Sequence, residues 1–269
     1  MSEVMNRMTE EEYRADPGVN KSTLWEMRKS PKHYKWALEN PTEDTPALRA
    51  GRAIHMAVLQ MDEFDKHYVV GPAVDKRTKE GKAAWAAFME DAGDREILTG
   101  EEYAEIMAIA DAVKEETGGL FDGCKTEVPL FWDDRRTGIR CKCRVDAMLE
   151  TDDKLVLIDL KTTTDASVDA FARSAVRYGY HVQAAHYMNG AEACGLNHGK
   201  PIQWWFVAVE KNPPYAVNVI QVTDGFLTDG QFVLMGLMDK LDECLRTDVF
   251  PGYGVSVLDM PAWAIREDE

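Results

Sequence analysis

The chain has 269 residues, 45% of them hydrophobic, enough for one large domain or two small ones with a substantial core. Forty-seven acidic against 31 basic residues give a formal net charge of −16, which excludes a generic nucleic-acid coat protein, since any phosphate binding must come from locally concentrated basic groups. No apolar run approaches the roughly 18 residues of a membrane span, the start MSEVMNRMTEEEYR has acids and no apolar block, and five cysteines without a C-x-x-C read as reduced thiols; a cytosolic protein without a membrane partner is expected.

Residues 1–44 read as a helical lead-in. A turn falls at Asp16-Pro17-Gly18, Ser22 fits the N-cap of a helix bearing Leu24, Trp25 and Met27, and a second short helix stops near Pro41. Thr45 to Gln60 has the pattern of a buried helix. His55 lies one turn beyond Gly51, and a glycine inside a helix suggests close approach by another backbone or by substrate. Residues 61–120 carry little chemistry; Lys79 to Asp91 and Thr99 to Glu116 are expected as amphipathic helices of an insertion flanking a cleft. The segment 125–250 should hold the sheet. Lys125 to Trp132 opens it, with Glu127 on a face with Pro129 and Phe131, and Asp133 to Gly138 turns the chain into a second strand. Val168 to Ala193 reads as one long helix with Gln183 and Tyr187 stacked at i and i+4, and Arg173, Arg177 and His181 as a basic flank. Two further strands follow, Pro201 to Val209 and Tyr215 to Val222, then a helix from Phe226 to Arg246 and a tail, 251–269, whose Trp263 suits contact with a neighbouring subunit.

The chemistry concentrates between Gly138 and Thr164. Ile139 to Leu149 alternates, Thr151 to Lys154 breaks the pattern, and Leu155 to Lys161 is an apolar run ending in charge. Alternation puts Leu155, Leu157, Asp159 and Lys161 on one face, with Val156, Ile158 and Leu160 on the other. On the preceding strand it groups Arg140, Lys142, Arg144 and Asp146 opposite Ile139, Cys141, Cys143, Val145 and Ala147. Paired as a hairpin, the strands bring Asp146 and Asp159 together near one edge. Buried acids need compensation, which a hard divalent cation provides, or else an ion pair simply closes a strand end. Basic clusters stand at residues 28–35, 76–82 and 135–144.

Asp146, then thirteen residues later (159 minus 146) Asp159-Leu160-Lys161, resembles the bipartite PD-(D/E)XK nuclease signature, with Val145 where a proline often sits. Gly51 to His55 resembles the G-x-x-x-H helix motif of that superfamily's exonuclease branch, Glu127 its first-strand acid, and Gln183 to Tyr187 its Q-x-x-x-Y motif. Lys21 to Tyr34, Glu127 to Asp146 and Ile158 to Thr163 are similar to RecE-type, or exodeoxyribonuclease VIII-like, phage recombination exonucleases. The resemblance spans nearly the whole chain, least securely residues 61–120 and the tail after Phe250.

That resemblance implies an α/β fold, a restriction-endonuclease-like core with a central mixed sheet flanked by helices, forming a single nuclease domain. It implies Mg2+, with Mn2+ able to substitute, held by His55, Asp146, Asp159 and the Leu160 carbonyl, with Glu127 joining through water. Lys161 would position the nucleophile and offset negative charge, while Gln183 and Tyr187 would hold the DNA backbone or a phosphate. Arg28 and Lys29 would lie beside the DNA entrance, with Arg140, Lys142 and Arg144 as further contacts. The implied activity is 5′-to-3′ digestion of linear double-stranded DNA, leaving 3′ single strands for a RecT-like annealing protein. A ring-like homo-oligomer, encoded by a phage or prophage and acting in the bacterial cytoplasm, would carry it out. Relatives that hold an iron–sulfur cluster place a cysteine before the histidine motif; the first cysteine here is Cys124, so no cluster is expected. The rivals are a structure-selective or helicase-associated endonuclease using the same metal site, and an inactive nuclease-fold protein that only binds DNA or a partner.

Overall fold

The apolar strand runs of the second half of the chain pair into one sheet, seen in a computed structural model that describes residues 3–4, 8–41 and 44–261. The first half contributes β1 (Glu3–Val4), α1 (Glu10–Ala15), α2 (Lys21–Leu24), a 3-10 turn (Trp25–Arg28), α3 (Pro31–Glu39), α4 (Pro46–Leu59) and α5 (Met61–His67). Next come β2 (Tyr68–Val70), α6 (Lys79–Ala92), β3 (Glu96–Leu98) and α7 (Gly100–Glu116). The second half holds β4 (Lys125–Asp133), β5 (Arg140–Glu150), β6 (Leu155–Thr163), α8 (Val168–Tyr178), α9 (Tyr180–Ala193), β7 (Ile202–Glu210), β8 (Val217–Gln221) and α10 (Asp224–Thr247). The sheet order is β1-β4-β5-β6-β7-β8, with β6 and β7 parallel and every other pair antiparallel. This is the mixed α/β architecture expected, with helices on both faces.

Each face of the sheet has its own core. Leu155, Leu157, Trp204 and Phe206 pack with Val182 of α9 and Leu234, Leu237 and Leu241 of α10. On the opposite face Val156, Ile158, Leu160 and Val207 pack with Ala53, Ile54 and Ala57 of α4 and Ile106, Ile109 and Val113 of α7. Burying one large aliphatic side chain contributes roughly 1.5–3 kcal/mol, and α4 is held by Ala53, Ile54, Ala57 and Leu59, all buried within its last two turns. That packing fixes where His55 points.

Several expectations are corrected. Asn20, not Ser22, caps α2, its side chain accepting from the Thr23 amide at 2.9 Å. The helix over 168–193 is two helices broken at Gly179, which has φ 68° and a would-be Cβ only 2.8 Å from the Trp25 ring, so only glycine admits that indole. Within 61–120, α7 covers the central sheet rather than merely flanking a cleft, and β2 and β3 form a small parallel pair that sequence patterning did not anticipate. A Cβ at Gly51 would meet nothing within 4 Å, so among the described residues no backbone approaches there. Trp263 lies outside the described residues.

The alternation along β5 also slips. Cys141, Cys143 and Val145 face the α9–α10 core, but Ala147 faces the other core and Met148 the first. The slip occurs at Asp146, opposite Glu127: the ladder runs Thr126↔Ala147, then Val128↔Val145, skipping the pair between them. Glu127 has φ 51°, a left-handed conformation that costs a non-glycine residue about 1–3 kcal/mol. Both acids are thereby turned out of the regular pleat.

Candidate active site

Strands β5 and β6 pair from Glu150↔Leu155 to Ala147↔Ile158 and then separate, while β6 stays paired with β7 as far as Thr163↔Glu210. At the fork the Leu160 amide donates to Asp146 Oδ2 at 2.9 Å instead of continuing the ladder. Asp146 and Asp159 stand at this opening, as the hairpin reading required. From the α4 side His55 Nδ1 lies 3.6 Å from Asp146 Oδ2.

His55, Glu127 and Asp146 each present a ligand-type atom, and these three atoms all lie within 4.8 Å of one another. Glu127 therefore joins the group directly, where the sequence reading had it reach through water. Asp159 falls outside that group. It is 1% exposed, its Oδ1 accepts from Gln183 Nε2, and its Oδ2 is ion-paired with Lys161 Nζ. Leu160 supplies backbone bonds to Asp146 and to the His55 ring. The Lys161 ammonium lies 5.1 Å from the Tyr180 ring centroid, which covers it from the α9 side.

Protonation follows from these surroundings. Burial raises the Asp146 carboxyl, opposed by the charges of Lys161 and Arg144 and by the Leu160 amide. Burial likewise pushes Asp159 up to about 6, with Lys161 opposing. Burial works against the Lys161 charge, but the carboxylates of Asp159 and Asp146 raise its ammonium above the usual lysine value. His55 is pushed down to about 4, by desolvation first and then by Lys161. Near neutral pH the site thus holds a neutral imidazole, an ionised Asp159 and a charged ammonium. Two carboxylates and an imidazole converging where burial penalises negative charge form a donor set that fits a hard divalent cation.

The other expected residues divide. Gln183 is buried and holds Asp159. Tyr187 sits on the same helix edge-on to Trp204, ring centroids 5.6 Å apart, and burial raises its hydroxyl well above the ordinary value. Lys29 pairs with Glu26 at 2.7 Å and Arg28 lies over the Trp25 ring at 4.6 Å, both on the 3-10 turn and its end. Lys142 is corrected: it is 5% exposed and its ammonium donates to the carbonyls of Tyr13 at 2.7 Å and Asp16 at 2.6 Å. Its charge pins the N-terminal segment to β5 rather than facing a ligand. Arg140 pairs with Asp16 at 3.0 Å and Arg144 with Glu127 at 2.7 Å. His181, expected on a basic flank, is buried and T-stacked on Trp25.

Two residues near the fork escaped the sequence reading. Lys21 is buried, donates to the Tyr178 carbonyl, lies over Trp25 and is pushed down to about 8 by burial and then by Lys161. A lysine opening a polar helix start gives no sign of burial. Tyr180 stands three residues before Gln183, a spacing that shares a helix face and was the available signal.

A family model described as a PDDEXK-like domain of unknown function (DUF3799) matches residues 20–257, which include every site residue named above except Tyr13 and Asp16. The crystal structure of a protein described as a "Putative exonuclease" from Eubacterium rectale matches with a TM-score of 0.58 at 15% sequence identity, covering 95% of this chain and 96% of that one. The crystal structure of SSO0001 matches at 14% identity and a TM-score of 0.32, over 71% of this chain and 85% of that one. A search of curated proteins finds no match. At such low identity the likeness to the first structure is one of fold.

Proposed function

Because the chain belongs to the PDDEXK-like family DUF3799, and because of the geometry at its strand fork, we propose that it is a divalent-metal-dependent nuclease hydrolysing phosphodiester bonds in DNA. The observation that carries this reading is the convergence of His55, Glu127 and Asp146 beside a separate, buried Asp159–Lys161 pair. His55, Glu127 and Asp146 would hold the ion, with Asp159 bordering them. A bound Mg2+ or Mn2+ supplies Lewis acidity, acidifying the attacking water and neutralising charge on the phosphoryl group.

The protein's own groups do the rest. Lys161, kept charged by its two acidic neighbours, serves as a fixed cation that orients water and offsets negative charge developing on the phosphate; it is not set up to accept a proton. Asp159 aims that ammonium, Gln183 aims Asp159, and the Tyr180 ring keeps water from one side. Arg28, Lys29 and Arg144, with Tyr187, would contact the DNA backbone.

The finer reading draws on the resemblance of the segments Lys21 to Tyr34 and Glu127 to Asp146. It is a single nuclease domain acting 5′ to 3′ on linear duplex DNA and leaving 3′ overhangs for a RecT-like annealing protein. A ring of subunits would thread the DNA in the bacterial cytoplasm, with acid outside and base within. The test uses end-labelled linear duplex beside a covalently closed circle, with Mg2+, with Mn2+ and with chelator. Label released from linear DNA only when metal is present, with circles intact, is the expected result. Nicked circles would select an endonuclease, and intact linear DNA under every metal condition would overturn the proposal.

A further inference from the structure

Arg144 stands between the metal-binding acids and the surface. Its Nε lies 2.7 Å from Glu127 Oε2, and the two side chains are 34% and 17% exposed, so the guanidinium is the outer member of the pair. Its Cζ lies over the Tyr13 ring, 5.3 Å from the centroid, and Tyr13 is itself tied down through the Lys142 ammonium on its carbonyl at 2.7 Å. Glu127 meets it from a left-handed backbone position, φ 51°, that takes the carboxylate out of the pleat. The Arg144 charge also reaches inward, holding Asp146 lower than burial alone would leave it and discouraging protonation of His55.

A guanidinium so placed does part of what a cation in the site would do. It balances Glu127, so a divalent ion arriving among His55, Glu127 and Asp146 meets a carboxylate whose charge is already shared, and a positive group nearby. A phosphate diester offers the planar fork of the guanidinium a bidentate partner. We propose that Arg144 is a positioning residue that couples substrate to metal: it clamps Glu127 while no DNA is bound and releases it to the ion when a backbone phosphate engages the guanidinium. The proposal rests on the nuclease reading, and by linkage it works both ways, DNA tightening metal and metal tightening DNA.

The test is a Mn2+ titration followed by the electron paramagnetic resonance of the free ion, with and without a short duplex whose linkages are all phosphorothioates, which keep the charge and resist cleavage. In the unaltered protein the duplex should tighten Mn2+ about tenfold, within the usual range of site-to-site coupling. In Arg144→Gln the DNA-free affinity should rise toward the DNA-bound value and the ratio should fall toward one. Arg144→Lys keeps the charge but not the fork and should fall between. Arg246→Gln removes the same charge from the far end of α10 and should leave the ratio as it was. A ratio unchanged in Arg144→Gln, or a DNA-free affinity that drops, would overturn the clamp while leaving the nuclease standing. No Mn2+ binding by any of these proteins would instead remove the metal site on which both rest.

Discussion

Asp146 and Asp159 face the same opening of the sheet, yet their charges are balanced differently. Asp159 is a closed account: 1% exposed, with Lys161 on one oxygen and the Gln183 amide on the other, all supplied by β6 and α9. Asp146 looks instead at the Leu160 amide, a neutral imidazole and a second acid, and the cations that influence it, Lys161 and Arg144, are each engaged with another carboxylate. The first arrangement has its countercharge in place as folded. The second is short of positive charge, and that shortfall is what distinguishes a place for an ion from an internal salt bridge. A D-x-K triplet by itself cannot separate the two, because it belongs to the closed half.

The largest expected effect breaks the open half. Asp146→Asn should lower cleavage a thousandfold or more, several kcal/mol of barrier, in the end-labelled duplex assay. It should also abolish the rise in melting temperature that Mn2+ gives the unaltered protein, worth about 2.7 kcal/mol at a hundred times the dissociation constant. An unchanged Mn2+ shift would mean that Asp146 is not the open member. The closed half responds differently. Lys161→Met strands a buried carboxylate and should cost about 3–5 kcal/mol in denaturant unfolding, because one partner of a buried pair is removed. The double variant Asp159→Asn, Lys161→Met should regain most of that stability without regaining turnover, while Mn2+ still binds. Loss of Mn2+ binding in Lys161→Met as complete as in Asp146→Asn would erase the distinction.

Much of this was legible in the sequence because it is local. The apolar run ending in Asp159 and Lys161, the turns at 133–138 and 151–154, the α4 helix behind His55 and the spacing of Gln183 all follow from periodicity and turn chemistry within a few residues. What was hidden depends on contacts between segments far apart in the chain. Gly179 breaks a helix because Trp25, more than 150 residues earlier, fills the space a side chain would need. Lys142 reads as surface charge until the N-terminal segment lies over it, and strict alternation along β5 fails at Asp146 because Glu127 on the neighbouring strand leaves the pleat. The candidate donor cluster depends on such contacts too: Glu127 lies in it beside His55 and Asp146, and Asp159 lies outside it.

A buried titratable group away from the fork serves as the control for this contrast, and carries the smallest expected effect. His186 lies on α9, one turn beyond Gln183, 2% exposed, with its ring against Trp132 and Nε2 donating to the Lys142 carbonyl at 3.1 Å. Burial pushes it down to about 4, against about 6.5 in an unfolded chain. Between those values the unfolded chain binds the extra proton, so the contribution of His186 to stability is fully present above pH 6.5 and is lost as pH falls toward 4. The loss approaches roughly 3 kcal/mol at the acid end. His186→Gln keeps a side-chain donor but cannot titrate, so urea unfolding measured from pH 7 to pH 4 should show a shallower decline than in the unaltered protein. Its Mn2+ affinity at pH 7.5 should not move. An equally steep decline would mean that His186 does not titrate in this window. A changed Mn2+ affinity would mean that burial alone, without membership of the open group, is enough to reach the site.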